Sequence, residues 1–230
     1  MLMHVARSID EALTRKWAAM EADGSADLVE ERGIQILLLD GEEAFVTWTA
    51  TDSLYGARSL AETWEATPNP ALSTYHTALS SISLFLLLDL LGSADPTVPS
   101  YFKTTHWAYQ NLANIESRLR ALSLLQSKPS RPFLPDSDKQ DELFNRAWMV
   151  EDDHVPFINR GVEVLHIIPS PFPKVWHTIA DDGEHLDMAT VQDWSKIFTA
   201  FAGEWMDLEG FFSNNPPAKM HKRETTGKSE

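Results

Sequence analysis

Residues 34–45 read Ile34-Gln-Ile-Leu-Leu-Leu-Asp40-Gly-Glu42-Glu43-Ala-Phe45, and the reading of this stretch decides the fold class. An apolar run of strand length ends at Asp40, turns at Gly41 and delivers two adjacent carboxylates. A continuous apolar run bounded by a turn signal is the pattern of a strand buried on both faces of a parallel sheet. The exit of such a strand is where open α/β sheets bind ligands. Neighbouring side chains on an extended or turning backbone point different ways, so Glu42 and Glu43 can serve two different partners. Taken alone, the stretch also reads as a strand followed by a solvated acidic turn.

Two further apolar runs of strand length follow, at residues 84–91, with Asp89 near the end, and at residues 162–168. Between the strands the spacing predicts helices. Leu2, Val5, Ile9, Leu13, Trp17 and Met20 recur at helical steps over residues 1–22, with Gly24 as stop signal. A helix over 54–66 is expected to take Asp52 or Ser53 as its cap and to turn Leu54, Ala57, Leu60, Ala61 and Trp64 inward. A third covers 104–125, and a last one, capped by Asp187, carries Val191, Trp194, Phe198, Phe201, Trp205 and Leu208. The Pro- and Ser-rich segment 126–141 is long enough that a functional or disordered loop is expected. Alternating strands and helices predict a three-layer α/β/α sandwich around a mostly parallel sheet, one domain over residues 1–212 with a disordered polar tail at 213–230.

Composition narrows the function. A formal net charge of −15 argues against nucleic acid and anionic membranes as partners. With no cysteine in the chain, thiol nucleophiles, disulfides and Cys-based zinc sites are excluded, so a metal must use His, Asp or Glu. No apolar run is long enough to span a bilayer, and neither a secretory leader nor an Asn-X-Ser/Thr site is visible. Acidic, imidazole and aromatic groups gather just beyond the apolar runs: Glu42 and Glu43, Asp89, Glu151-Asp-Asp-His-Val-Pro-Phe157, and Phe172 to His177. Brought to one sheet edge, they have the composition of a carboxylate/histidine metal site beside an apolar slot. Read singly, Asp89 is as consistent with a hydrogen-bonded structural role, His154 and His166 with structural histidines, and Trp48, Phe172 and Trp176 with core.

Five segments in this order carry a specific resemblance: Asp40-Gly-Glu-Glu-Ala-Phe45 with Trp48, Asp52-Ser-Leu-Tyr-Gly56, Leu87-Leu-Asp-Leu-Leu-Gly92, Asp152-Asp-His-Val-Pro-Phe157, and Leu165-His-Ile-Ile-Pro-Ser-Pro-Phe-Pro-Lys-Val-Trp-His-Thr178. Together they resemble glutaminyl-peptide cyclotransferases (glutaminyl cyclases) of the zinc aminopeptidase-like clan, over residues 1–212. The resemblance implies a single catalytic zinc with Glu43 and His177 among its ligands and Glu42 as general base and acid. It implies that Asp89 and Asp152 join Glu42 in a carboxylate network, and that Trp48, Phe172, Trp176, His166 and Glu151 form the substrate pocket. Glu151 stands where the family usually has Gln. The implied substrates are peptide or protein N-termini beginning with Gln, and the implied compartment is secretory or extracellular.

The family's remaining zinc ligand is an Asp in an Asp-Ser-Ala type segment ahead of the helix that here opens the chain. The expectation is therefore an N-terminally incomplete domain that lacks one ligand and some strands. Two alternatives follow: a peptide hydrolase of the same clan with two zincs, or an inactive fragment with an unpaired sheet edge.

Overall fold

The computed structural model of the protein describes residues 1–24, 32–144 and 150–212; the expected disordered tail lies outside them. Two strands form a parallel pair, β1 (Phe85–Leu88) and β2 (Val164–Ile167), with Phe85 opposite Val164 and Leu88 opposite Ile167. Among the described residues five α-helices accompany them: α1 (Leu2–Asp23), α2 (Tyr55–Ala66), α3 (His106–Ala121), the single turn α4 (Val155–Ile158) and α5 (Met188–Trp205).

The period-two alternation of the strands sorts the core into two halves. Leu84, Leu86, Leu88, Leu165 and Ile167 pack with α1, α3 and α5, where Ile9, Leu112, Trp194 and Ile197 are buried. Phe85, Leu87 and Val164 face the other way, onto Ala57 and Ala61 of α2 and Phe157 of α4. Phe85 stacks on Phe157 with ring centroids 4.3 Å apart. Helices thus cover both faces of a parallel sheet, which is the expected α/β/α arrangement.

The helices follow their sequence signals unevenly. α1 ends where Gly24 takes a left-handed φ of 75°, and its N–H reaches back to the Met20 carbonyl. Asp187 accepts the Thr190 N–H at 2.7 Å and caps α5 as expected. Neither Asp52 nor Ser53 caps α2. Its entering N–H groups are taken by main chain instead: Leu54 donates to the Glu42 carbonyl at 2.8 Å, Tyr55 to Gly41 at 2.8 Å and Gly56 to Asp40 at 2.9 Å. A Cβ on Gly56 would stand 2.4 Å from the Asp40 carbonyl oxygen, so this approach requires glycine. Gly41, at φ 69°, makes the turn.

The expected strand at 34–39 does not form. Strand geometry is stabilised by ladder bonds to a neighbour, and this run faces β1 across a groove of about 1070 Å³ without pairing with it. Leu37 and Leu39 pack against the α2 side of the core, while Ile34 and Leu38 are exposed. Phe85, Leu86, Leu87 and Leu88 all pair with β2 and all border the groove, which residues of α1 and α5 also line.

The segment 126–141 is neither disordered nor part of the pocket described below; it is strapped down by buried acids. Asp193 accepts the N–H groups of Gln126 and Ser127, both at 2.8 Å. Glu116 accepts those of Phe133 at 2.8 Å and Leu134 at 3.0 Å. Phe133 and Leu134 are fully buried. A loop that looks polar in composition here carries two core residues.

Candidate active site

Just beyond the carboxyl ends of β1 and β2, the ordinary ligand position for a parallel sheet, lies a cavity of about 550 Å³. Nine of the ten side chains expected at a site line it: Glu42, Glu43, Trp48, Asp89, Glu151, Asp152, Phe172, Trp176 and His177. The tenth, His166, stands directly behind. Its Nε2 is 2.8 Å from Asp152 Oδ2, and both residues are buried.

Different elements deliver these groups. The main-chain bonds from α2 to residues 40–42 pin the Glu42–Glu43 turn onto the start of that helix. The following loop is held by Asp52, whose carboxylate accepts the N–H groups of Phe45, Val46 and Thr47 and the Tyr55 hydroxyl at 2.7–2.9 Å. Those bonds hold its pKa down at about 2, so Asp52 organises a loop rather than a helix end. The loop presents Trp48, whose indole N–H donates to Glu151 at 2.6 Å.

Asp89 leaves β1 with its N–H on the Ile167 carbonyl, and its side chain accepts the N–H of Leu90, a residue held at φ 54°. On the other wall Phe172 meets Trp176 edge-on at 4.9 Å, and Trp176 stacks on His177 at 3.8 Å. His177 is itself left-handed, at φ 56°. Sustained positive φ in non-glycine residues marks backbone that the surroundings over-determine.

The electrostatics separate the two glutamates. Glu42 is pushed up to about 7, first by desolvation and then by the negative charges of Asp152, Asp153, Asp89 and Glu43. Burial, with Asp152, also raises Asp89. Glu43 is more exposed and points to imidazole: its Oε1 lies 2.7 Å from His177 Nε2. Carboxylate and imidazole are the donors zinc takes, and a catalytic zinc ordinarily has three protein ligands. Among the described residues no third Asp, Glu or His joins this pair in a metal-holding group.

The sequence reading missed Asp181 and gave Asp153 no role of its own. Asp181 lines the cavity and accepts the His177 N–H at 3.3 Å; its only signal was its place four residues beyond that histidine. Asp153 faces the groove beside β1, buried, with Oδ1 unpartnered among the described residues and its pKa pushed up to about 6 by desolvation and Asp152. His154 is fully buried against His166 at 4.5 Å, and desolvation pushes it down to about 3, so it is a neutral ring of the interior. His154 is thus a structural histidine, whereas His166 supports a carboxylate of the pocket.

The chain is 42% identical over 212 residues to the glutaminyl-peptide cyclotransferase of Gloydius blomhoffii, covering 90% of this chain and 54% of that protein. It is 36% identical over 208 residues to the Bos taurus glutaminyl-peptide cyclotransferase, with the same shares. The chain therefore spans about half the length of these relatives. Among solved structures, Macrostomum lignano glutaminyl cyclase superposes with a TM-score of 0.61 at 33% identity, covering 73% of this chain and 52% of that one. An Acidobacteriales bacterium glutaminyl cyclase gives a TM-score of 0.54 at 26% identity, over 85% and 59% of the two chains. Residues 12–202 match the family described as Peptidase family M28. With that match running from within α1 to near the end of α5, the chain belongs to peptidase family M28.

Proposed function

We propose that this domain carries the proton-transfer and substrate-holding groups of a glutaminyl cyclase, which converts N-terminal Gln (or Glu) of peptides to pyroglutamate with release of ammonia (or water). The observation that carries the reading is Glu42: a carboxyl raised to about 7 in a cleft walled by Trp48, Phe172 and Trp176. A general base or acid works best with a pKa near the working pH. In this reading Glu42 takes a proton from the α-amine as the nitrogen attacks the γ-amide carbon, then returns one to the departing nitrogen. Desolvation, with Asp152, Asp153 and Asp89, keeps Glu42 raised, and His166 holds Asp152 in place. The aromatic walls keep water from competing for the carbon.

Glu43 and His177 are assigned as two ligands of a zinc ion, which when bound supplies polarisation of the γ-carbonyl. Two protein ligands hold zinc far more weakly than three. The expected result is therefore that zinc added to the purified chain is lost on desalting. Elemental analysis showing one retained ion per chain would mean that a further ligand completes the site. A secreted or extracellular setting belongs to the proposal, on the resemblance read from the sequence; no described helix is long and apolar enough to cross a membrane.

Incubation with a Gln-initiated peptide followed by mass spectrometry tests the activity. Loss of ammonia supports cyclisation, whereas release of the free first amino acid would assign the cleft to peptide hydrolysis.

A further inference from the structure

Six carboxylates border the cavity: Glu42, Glu43, Asp89, Glu151, Asp152 and Asp181. Among the described residues no Lys or Arg does, and the single basic side chain is His177. Even with a divalent cation at Glu43 and His177 the wall has an excess of acids, and a bound ion's charge must be counted in any such site.

The acids sit at different depths. Asp152 is buried and Asp89 half-buried, whereas Glu151 is exposed. Glu151 is also fixed. Its carboxylate accepts the Trp48 indole N–H at 2.6 Å, joining residue 151 to a loop 103 positions earlier in the chain. That loop is in turn held by the three N–H groups and the hydroxyl that Asp52 accepts. A charge fixed on a braced loop does not have to be ordered when a ligand arrives. If the first residue of a peptide fills the pit beside Glu42 and Asp89, the second residue emerges at the rim, where Glu151 stands. Trp48 and Trp176 are both more than a third exposed there, and aromatic faces attract cations.

We propose that Glu151 is the specificity determinant of this pocket: its carboxylate, held at the rim by Trp48, selects peptides with Lys or Arg directly after the N-terminal residue and rejects those with Asp or Glu. The inference rests on the pocket being the peptide site described above and adds which peptides it takes.

The test is the affinity of Gln-Lys-Ala, Gln-Ala-Ala and Gln-Glu-Ala amides, measured by calorimetry on the wild-type chain and on Glu151→Gln, with cyclisation followed in parallel. The substituted amide still offers a carbonyl to the Trp48 N–H, so the variant removes the charge and keeps the brace. Wild type should bind the Lys peptide about fivefold or more tighter than the Glu peptide, the scale of a rim-exposed charge pair. The ratio should fall towards one in Glu151→Gln, and in wild type at about 0.5 M salt, where the screening length is only a few ångströms. An unchanged ratio in the variant, equal affinities in wild type, or no binding of any peptide would overturn the proposal. Charge-selective binding without pyroglutamate would sink the cyclase reading and leave Glu151's role standing. Cyclisation indifferent to the second residue would do the reverse.

Discussion

Replacing Glu42 by Gln is expected to lower turnover of an N-terminal Gln peptide by about 10²- to 10⁴-fold, the usual contribution of a positioned general base. Peptide affinity should change far less, because the amide keeps the size of the side chain. In wild type, turnover should rise with pH through about 7, as the raised carboxyl ionises and becomes able to accept a proton. Full activity in Glu42→Gln would remove the role assigned to this residue.

The same variant makes a stability prediction of definite sign. Folding raises the Glu42 pKa above its ordinary value of 4.5, so the folded state holds the proton more tightly. The stability this brings is complete below about 4.5 and is lost as pH rises through about 7. Gln is neutral throughout. Glu42→Gln should therefore match wild type near pH 4.5 and exceed it at pH 8, by roughly 1–2 kcal/mol after discounting for the partial exposure of Glu42. Urea unfolding at the two pH values checks this. A variant less stable than wild type at pH 8 would contradict the assigned shift. A site group that lowers stability in order to work is the expected trade between activity and stability.

The second large effect is structural. Glu116→Ala should cost about 3–5 kcal/mol, a large part of the stability of an ordinary domain. The Glu116 carboxylate is buried and serves Arg120 at 2.8 Å together with the N–H groups of Phe133 and Leu134. Its removal leaves two buried donors and a mostly buried guanidinium without their acceptor, and each such loss is costly. It also frees the segment that seats Phe133 against Trp194, whose rings stack at 4.9 Å. Trp194 fluorescence should follow the loss, and amide exchange at Phe133 and Leu134 should accelerate first. A change under about 1 kcal/mol would mean that the strap is held by the packing of Phe133 and Leu134 alone.

The strap shows why part of the fold could not be read from the chain. Composition marks residues 126–141 as a polar loop because prolines and serines are counted one by one. What orders the loop is Glu116 on α3 and Asp193 on α5, reached only after the chain has folded back. Asp52 is a similar case. Its place before a helix suggests a cap, but three N–H groups within seven residues of it compete for the carboxylate and win. Helix α2 then takes its acceptors from the carbonyls of residues 40–42, an arrangement that Gly56 permits by lacking a side chain.

By itself the sequence determined what depends on short-range order: the 3.6-residue period of α1, α3 and α5, the Gly24 stop, the Asp187 cap, and the apolar runs that became β1 and β2. It also determined which residue types collect after those runs, and so nine of the residues that line one cavity. The tertiary structure alone decided what depends on distant partners. It decided that residues 34–39 pair with nothing described and so form no strand, since a strand is stabilised by its neighbour. It decided too that two adjacent glutamates differ, Glu42 desolvated beside Asp152, Asp153 and Asp89, which together raise its pKa, and Glu43 turned towards His177, 134 residues away.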